Sequence, residues 1–345
     1  VLVVSTPEFG IDTFGGVTLD VEGRPVPHAQ VIRDLVDQAV LADEVGLDFF
    51  GLGEHHRPDF AVSSPEMVLA AIASRTSRIR LGSAVTVLSS DDPVRVFERF
   101  ATLDAVSGGR AEIVAGRGSF IESFPLFGFD LADYEVLFEE RLELLAALLK
   151  EEPVTWSGTT RAALQDQEVF PRTENGITAW VGVGGSPESV VRAARHGFGL
   201  FLAIIGGPAD RFAGYVDLFE RAQDQLGTPR RPVAVHSPGL VADSDEEARD
   251  VVRAGWYAMR TRLGQERGWP PPRPGDFERE IAGGALYVGS PETVAQKIAG
   301  TVQVLGVDRF DLKYDQAQVR SQDLLRSIEL YGSQVVPRVK ELLAG

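Results

Sequence analysis

Short runs of apolar residues alternate along this chain with longer stretches whose apolar side chains recur every three or four positions. The runs are Val1–Ser5, Leu47–Gly53, Ile79–Leu88, Ala111–Ala115, Ala179–Val183, Gly199–Ile205, Val233–His236 and Arg309–Lys313. Most lack polar alternation, the pattern of parallel strands covered on both faces. Between them, residues 30–45 put Val31, Leu35, Ala39 and Val40 on one helical face. Residues 133–149 do the same with Tyr134, Leu137, Phe138, Leu145 and Leu148, residues 291–305 with Val294, Ile298 and Leu305, and residues 321–342 with Leu324, Ile328, Tyr331, Val335 and Val339. Ser64-Pro65-Glu66, Ser186-Pro187-Glu188 and Ser290-Pro291-Glu292 each set a capping serine before a proline suited to the first helical position. Gly46, Gly197 and Gly306 stand where such helices should stop.

Eight strands alternating with helices, each crossover long enough for a right-handed βαβ unit, predict an α/β fold: a (β/α)8 TIM barrel spanning 1–345 as one domain. An open doubly wound sheet is the alternative. Two stretches break the rhythm. Residues 151–178, with Pro153, Gly158, Pro171 and Gly176, read as a hairpin inserted after strand 4; residues 264–290, with Pro270, Pro271, Pro272 and Pro274, read as a long loop or lid after strand 7.

Composition narrows the partners. Thirty-four basic against 50 acidic residues give a net charge of −16, which disfavours nucleic acid and anionic membrane surfaces while leaving room for a local phosphate site. The absence of cysteine removes disulfides, thiolate metal sites and thiol nucleophiles, and fits a reducing cytoplasm. The opening VLVVSTPEFG is too short an apolar run for a signal or a membrane span.

In barrels of this type function gathers at the C-terminal ends of the strands. After strand 2 come Glu54, His55 and His56, two of the chain's five histidines. A histidine there suits proton transfer or hydrogen bonding to a developing anion; equally, one ring could orient Arg57 or Asp59 while the other fills space. Adjacent histidines point apart on extended backbone and make a poor metal pair, so no metal site is expected. Strand 3 ends in Gly82, Ser83 and Ala84, small enough for a flat ligand to lie against the main chain or for tight packing. Strand 4 ends in Gly116, Arg117 and Gly118, an anion clamp or a surface arginine in a turn. Strand 5 ends in Gly184, Gly185 and Ser186, opening a helix whose free N–H groups suit a phosphate. His236 ends strand 7, and Tyr314 with Asp315 ends strand 8. Phe9 and Phe14, with Phe120, Phe124, Phe127 and Phe129 of the loop 118–130, could wall an apolar pocket or merely anchor their loops. His196 reads as a partner of its helix's C-terminal dipole.

GEHH after strand 2, GSAVTVLSSDDPVR through strand 3, SGGRAEIVAGRGSF around strand 4, VGVGGSPESVVRAARHG around strand 5 and the late VGSPETVAQKI together resemble the bacterial luciferase-like, flavin-dependent monooxygenases over essentially the whole chain. That resemblance implies a (β/α)8 barrel holding FMN, or deazaflavin F420 in some branches, at its mouth. His55 corresponds to the active-site histidine, beside Glu54 and Ser83 in the cofactor site. Ala84–Val85 corresponds to a non-proline cis peptide on which the isoalloxazine rests. Arg117, Gly118, Gly184, Gly185, Ser186 and Ser189 correspond to the phosphate-binding positions. Where the luciferase subunits carry an acidic residue this chain has Gly185, which shifts the phosphate loop towards backbone donors.

The activity so implied is oxygenation of a small, partly apolar organic substrate by reduced FMN and O2, with His55 hydrogen bonding or shuttling a proton. Phe9, Phe120, His236 and Tyr314 would line the substrate pocket. A separate flavin reductase and a homodimer are expected by the same analogy. Rival readings are an F420-dependent hydride-transfer oxidoreductase of the same superfamily, a non-catalytic flavin-binding or partner subunit, and a metal-dependent barrel hydrolase.

Overall fold

The computed structural model describes residues 6–118, 120–315 and 318–345. Eight parallel strands form its centre: β1 (Glu8–Thr13), β2 (Phe49–Leu52), β3 (Arg80–Ser83), β4 (Ala111–Gly116), β5 (Thr178–Val183), β6 (Gly199–Ala203), β7 (Val233–Val241) and β8 (Arg309–Lys313). Each pairs with the next, and β8 pairs back onto β1, so the sheet closes on itself. The helices that follow the strands in turn are α1 (His28–Glu44), α2 (Pro65–Ala73), α3 (Pro93–Ser107), α4 (Tyr134–Leu148), α5 (Pro187–His196), α6 (Ala213–Leu226), α7 (Pro291–Leu305) and α8 (Ser321–Leu330), with further helices beside them. Ser186 and Ser290 cap α5 and α7 through their hydroxyls, as expected, whereas Ser64 makes no side-chain cap at α2.

Three expectations change. The run Val1–Ser5 lies outside the described residues, and β1 is the segment EFGIDT that follows it. That strand was hard to read because it alternates: Phe9 and Ile11 join the main apolar core, while Gly10 lies against Asp311 and Phe49. Phe9 is therefore buried within the strand and lies outside any pocket at its end. Residues 264–290 are no long loop: the helix Asp245–Arg267 runs into them, the helix Asp276–Gly283 follows, and Tyr287–Gly289 pairs with the end of β7. Pro270, Pro271, Pro272 and Pro274 lie in the short irregular stretch between these two helices, so the prolines mark a break of a few residues and the rest of the span is ordered. The insertion after β4 is a hairpin, Val154–Trp156 against Leu164–Gln167.

Burial divides into an apolar shell between strands and helices and a small axial cluster of Val114, Trp180, Phe201 and Ala234, against which Val85 packs. Along the same axis Arg309 is fully buried, 4.0 Å from the Phe49 ring centre and 4.5 Å from that of Trp180. Its Nη1 donates to Glu112 at 2.7 Å. A buried guanidinium needs such a partner to offset its lost hydration. Among the described residues no helix is long and apolar enough to cross a membrane.

Candidate active site

The end of β2 delivers three polar side chains to the barrel mouth and separates their tasks. Glu54 is buried with both oxygens used: Oε1 meets His56 Nε2 at 2.9 Å and Oε2 accepts from the Val87 N–H at 2.9 Å. His56 is thereby held sideways, against the edge of Phe127. His55 is different. Its ring lies among Phe60 (4.3 Å), Phe14 (4.8 Å) and Phe120 (5.3 Å), and its buried Nε2 has no hydrogen-bond partner. Burial pushes the imidazole down to about 4, although the Asp315 carboxylate pulls the other way. At neutral pH it is an uncharged group with one polar atom left open, and orphaned buried atoms of this kind are uncommon without a ligand or water to meet them.

The predicted run Ile79–Leu88 is broken in two by a cis peptide at Ala84–Val85. β3 stops at Ser83, and the short strand Thr86–Val87 resumes pairing with β4. Ser83 itself does not face the mouth: its hydroxyl donates to the Val114 carbonyl and accepts from the Val114 N–H, both at 3.1 Å. It replaces the ladder where the backbone detours, which removes it from the expected cofactor contacts. Val85 reaches across the tops of β4 and β5. A Cβ on Gly116 would lie 2.5 Å from its Cγ2, and one on Gly182 2.9 Å from its Cγ1, so both positions require glycine for the valine to seat.

Arg117 and the start of α5 lie on one rim, because β4 and β5 are neighbours. Arg117 Nη1 donates to Glu135 at 2.6 Å, and the same carboxylate lies 3.5 Å from Arg192 of α5. Arg192 also approaches the Ser189 hydroxyl at 3.4 Å and pairs with Glu139. Ser186 accepts from the Ser189 N–H, and its hydroxyl donates to Glu188. Glu188 is held below the usual carboxylate range by its own N–H at the helix start and by that hydroxyl, with Arg117 and Arg192 adding to the pull. Gly184 faces open space, the Gly185 carbonyl accepts from Tyr215, and Gly118 (φ +80°) accepts from Tyr134. His196 closes α5 with Nε2 3.7 Å from Glu139, but burial pushes its imidazole below the ordinary value, which disfavours the charged form that a partner of the helix dipole needs.

Two of the four expected pocket residues do not line the mouth. Phe9 is one; Tyr314 is the other, fully buried, its hydroxyl donating to Gln38 of α1 at 2.6 Å on the outer side of the barrel. Phe120 does reach His55, under the guanidinium of Arg57 at 4.4 Å. His236 lies deeper, stacked on Phe14 at 5.8 Å and bonded to Asp12. Sequence reasoning passed over Asp12, Glu135, Arg192 and the bracing role of Arg57, which joins Asp59, Glu122 and Glu266 across three mouth segments. Arg192 was findable, one helical turn past Ser189. The partnership of Asp12 was not, since its histidine is 224 residues away.

The model of the luciferase-like monooxygenase family matches residues 13–309. The 4-hydroxyprotoasukamycin monooxygenase of Streptomyces nodosus subsp. asukaensis is 28% identical over 340 residues, covering 92% of this chain and 90% of that protein. Among solved structures, the monooxygenase RslO1 from Streptomyces bottropensis superposes with a TM-score of 0.81 at 24% identity, covering 96% of this chain and 99% of that one. The oxygenating constituent of 3,6-diketocamphane monooxygenase from Pseudomonas putida, solved with FMN, gives 0.77 at 21% identity, covering 97% and 99%.

Proposed function

This chain belongs to the luciferase-like monooxygenase family, and on that premise we propose that it oxygenates a small, partly apolar organic substrate with reduced FMN and O2. The observation that carries the reading is the convergence at one mouth of three features: the open Nε2 of His55, the Val85 shelf and the two-arginine rim at the start of α5. They suit a phosphorylated isoalloxazine by chemistry. A flat ring can lie on Val85, a ring heteroatom can meet His55, and a phosphate can replace Glu135 between Arg117 and Arg192.

When bound, the reduced flavin supplies the electrons that activate O2. Each remaining task falls to the chain itself. Arg117, Gly118, Gly184–Ser186 and Ser189 hold the phosphate, the helix start contributing free N–H groups. His55, uncharged, hydrogen bonds at Nε2 without adding a charge to the ring. Phe14, Phe60 and Phe120 keep water from it. Glu54 fixes the backbone on which Val85 sits. Reduced flavin would come from a separate reductase, and the working form would be a homodimer.

Purified protein supplied with reduced FMN, 18O2 and a panel of terpenes and ketones tests the reading. Incorporation of one labelled oxygen into product is expected. Hydride transfer from reduced F420 without oxygen uptake would replace FMN chemistry by F420 chemistry.

A further inference from the structure

On the axis beneath Phe14, His236 of β7 and Asp12 of β1 share a hydrogen bond of 2.6 Å between Nδ1 and Oδ2. Their side chains are 4% and 0% exposed. An ionised carboxylate only accepts, so with Asp12 in that form Nδ1 carries the hydrogen and Nε2 keeps its lone pair. Among the described residues nothing hydrogen bonds to Nε2. Phe14 and Phe201 flank the ring at 5.8 and 6.1 Å.

Charged side chains from three strands lie around this ring along the axis. Asp311 is its cross-strand neighbour on β8, and Lys313, neighbour to Asp12, is already paired with Asp315 at 2.6 Å. Below lie Arg309, 3.1 Å from Asp311 and 2.7 Å from Glu112, and Arg80, 2.7 Å from Glu112 and also paired with Glu8 at the opposite rim. Burial pushes the Asp311 carboxyl up to about 8, which leaves Glu112 as the carboxylate that faces both guanidiniums and Asp12 as the acidic side chain in direct contact with the ring. A cation on His236 meets Asp12 directly. His55, by contrast, has no carboxylate hydrogen bonded to it among the described residues and stays neutral.

We propose that His236 is the proton acceptor for a phenolic or enolic hydroxyl of the organic substrate, with Asp12 as its positioning residue. The substrate O–H bond breaks, an N–H bond forms at Nε2, and the electron pair stays on the substrate oxygen. The imidazolium charge is balanced by Asp12. Ordinary alcohols are too weakly acidic for an imidazole, whereas a phenol, near 10, lies within reach of one supported by a carboxylate. The resulting oxyanion is the more electron-rich form, suited to attack on an electrophilic oxygen. This deepens the monooxygenase reading by naming a substrate class and rests on it for the mouth as the place of reaction.

The test uses 4-nitrophenol, whose ionised form absorbs in the visible, added to the FMN-bound protein at a pH where the free probe is mainly protonated. Wild type should bind it ionised. Asp12→Asn should weaken that ionisation about tenfold, and His236→Gln should abolish it while equilibrium dialysis still finds the probe bound. FMN affinity, unchanged in both variants, verifies their folding. The 15N spectrum of the wild-type imidazole should show hydrogen on Nδ1. Absence of bound ionised probe in wild type, equal ionisation in His236→Gln, or hydrogen on Nε2 would overturn the proposal. Failure of FMN to bind would instead strike the flavin reading, since the imidazole spectrum is read without cofactor.

Discussion

Glu54 accepts a hydrogen bond from the backbone N–H of Val87 at 2.9 Å, tying the strand end that carries His55 to the segment just beyond Val85. The two halves of the candidate ring site, polar atom and shelf, are thereby fixed relative to one another. Glu54→Ala leaves a buried N–H unpaired and should cost about 1–3 kcal/mol of stability. Glu54→Gln, which keeps an acceptor, should cost less. Urea unfolding of both variants checks the order.

The rim arginines carry a second expectation. Arg117→Ala should weaken FMN about tenfold or more and leave riboflavin nearly unchanged, because only FMN has the phosphate. Glu135 occupies both guanidiniums from an exposed position, so Glu135→Gln should tighten FMN two- to fivefold, roughly the worth of an exposed ion pair. Fluorescence titration with both flavins separates these effects; equal losses for FMN and riboflavin in Arg117→Ala would move the phosphate elsewhere.

Val85 depends on two glycines below it. Gly116→Ala puts a methyl 2.5 Å from Val85 Cγ2, and overpacking of this kind costs about 1–3 kcal/mol. Flavin affinity should fall with it for FMN and riboflavin alike, unlike the rim variants. Melting curves and the same titrations check it.

How far this arrangement was legible from sequence depends on whether the signal is local. Seven of eight strands were placed from the sequence, though β8 (RFDLK) alternates charged and apolar residues; β1 was missed because Glu8, Gly10 and Asp12 alternate with its apolar residues and the more apolar Val1–Ser5 precedes it. His55, Arg117 and Ser186 could be placed at strand ends because loops follow strands in a fixed order. Whether a side chain at a strand end faces the mouth or the helices was not legible. Tyr314 turns outward to Gln38, and Ser83 turns into the β3–β4 ladder. Those directions are set by barrel closure and by partners distant in sequence, as is the pairing of Asp12 with His236.

Burial of His55 has a pH signature. The unfolded imidazole titrates near its ordinary 6.5 and the folded one at about 4, so between these values the unfolded chain binds more protons and stability rises with pH. The contribution is intact above pH 6.5 and is lost as pH falls towards 4, by about 3 kcal/mol in all. His55→Gln should flatten the stability curve in that window. Asp311 acts in the opposite sense: burial pushes it up to about 8, so it stabilises the fold below its ordinary range and the contribution fades as pH rises towards 8. Asp311→Asn should therefore lose less stability relative to wild type at pH 9 than at pH 6, as chemical denaturation at the two pH values would read.

A crystal of this protein soaked with FMN would locate the cofactor. The phosphate should lie between Arg117, Arg192 and the N–H groups of Ser186–Ser189, with Glu135 displaced, the ring on Val85 and a polar ring atom at His55 Nε2. A phosphate bound anywhere else, with Glu135 still holding both arginines, would contradict this placement.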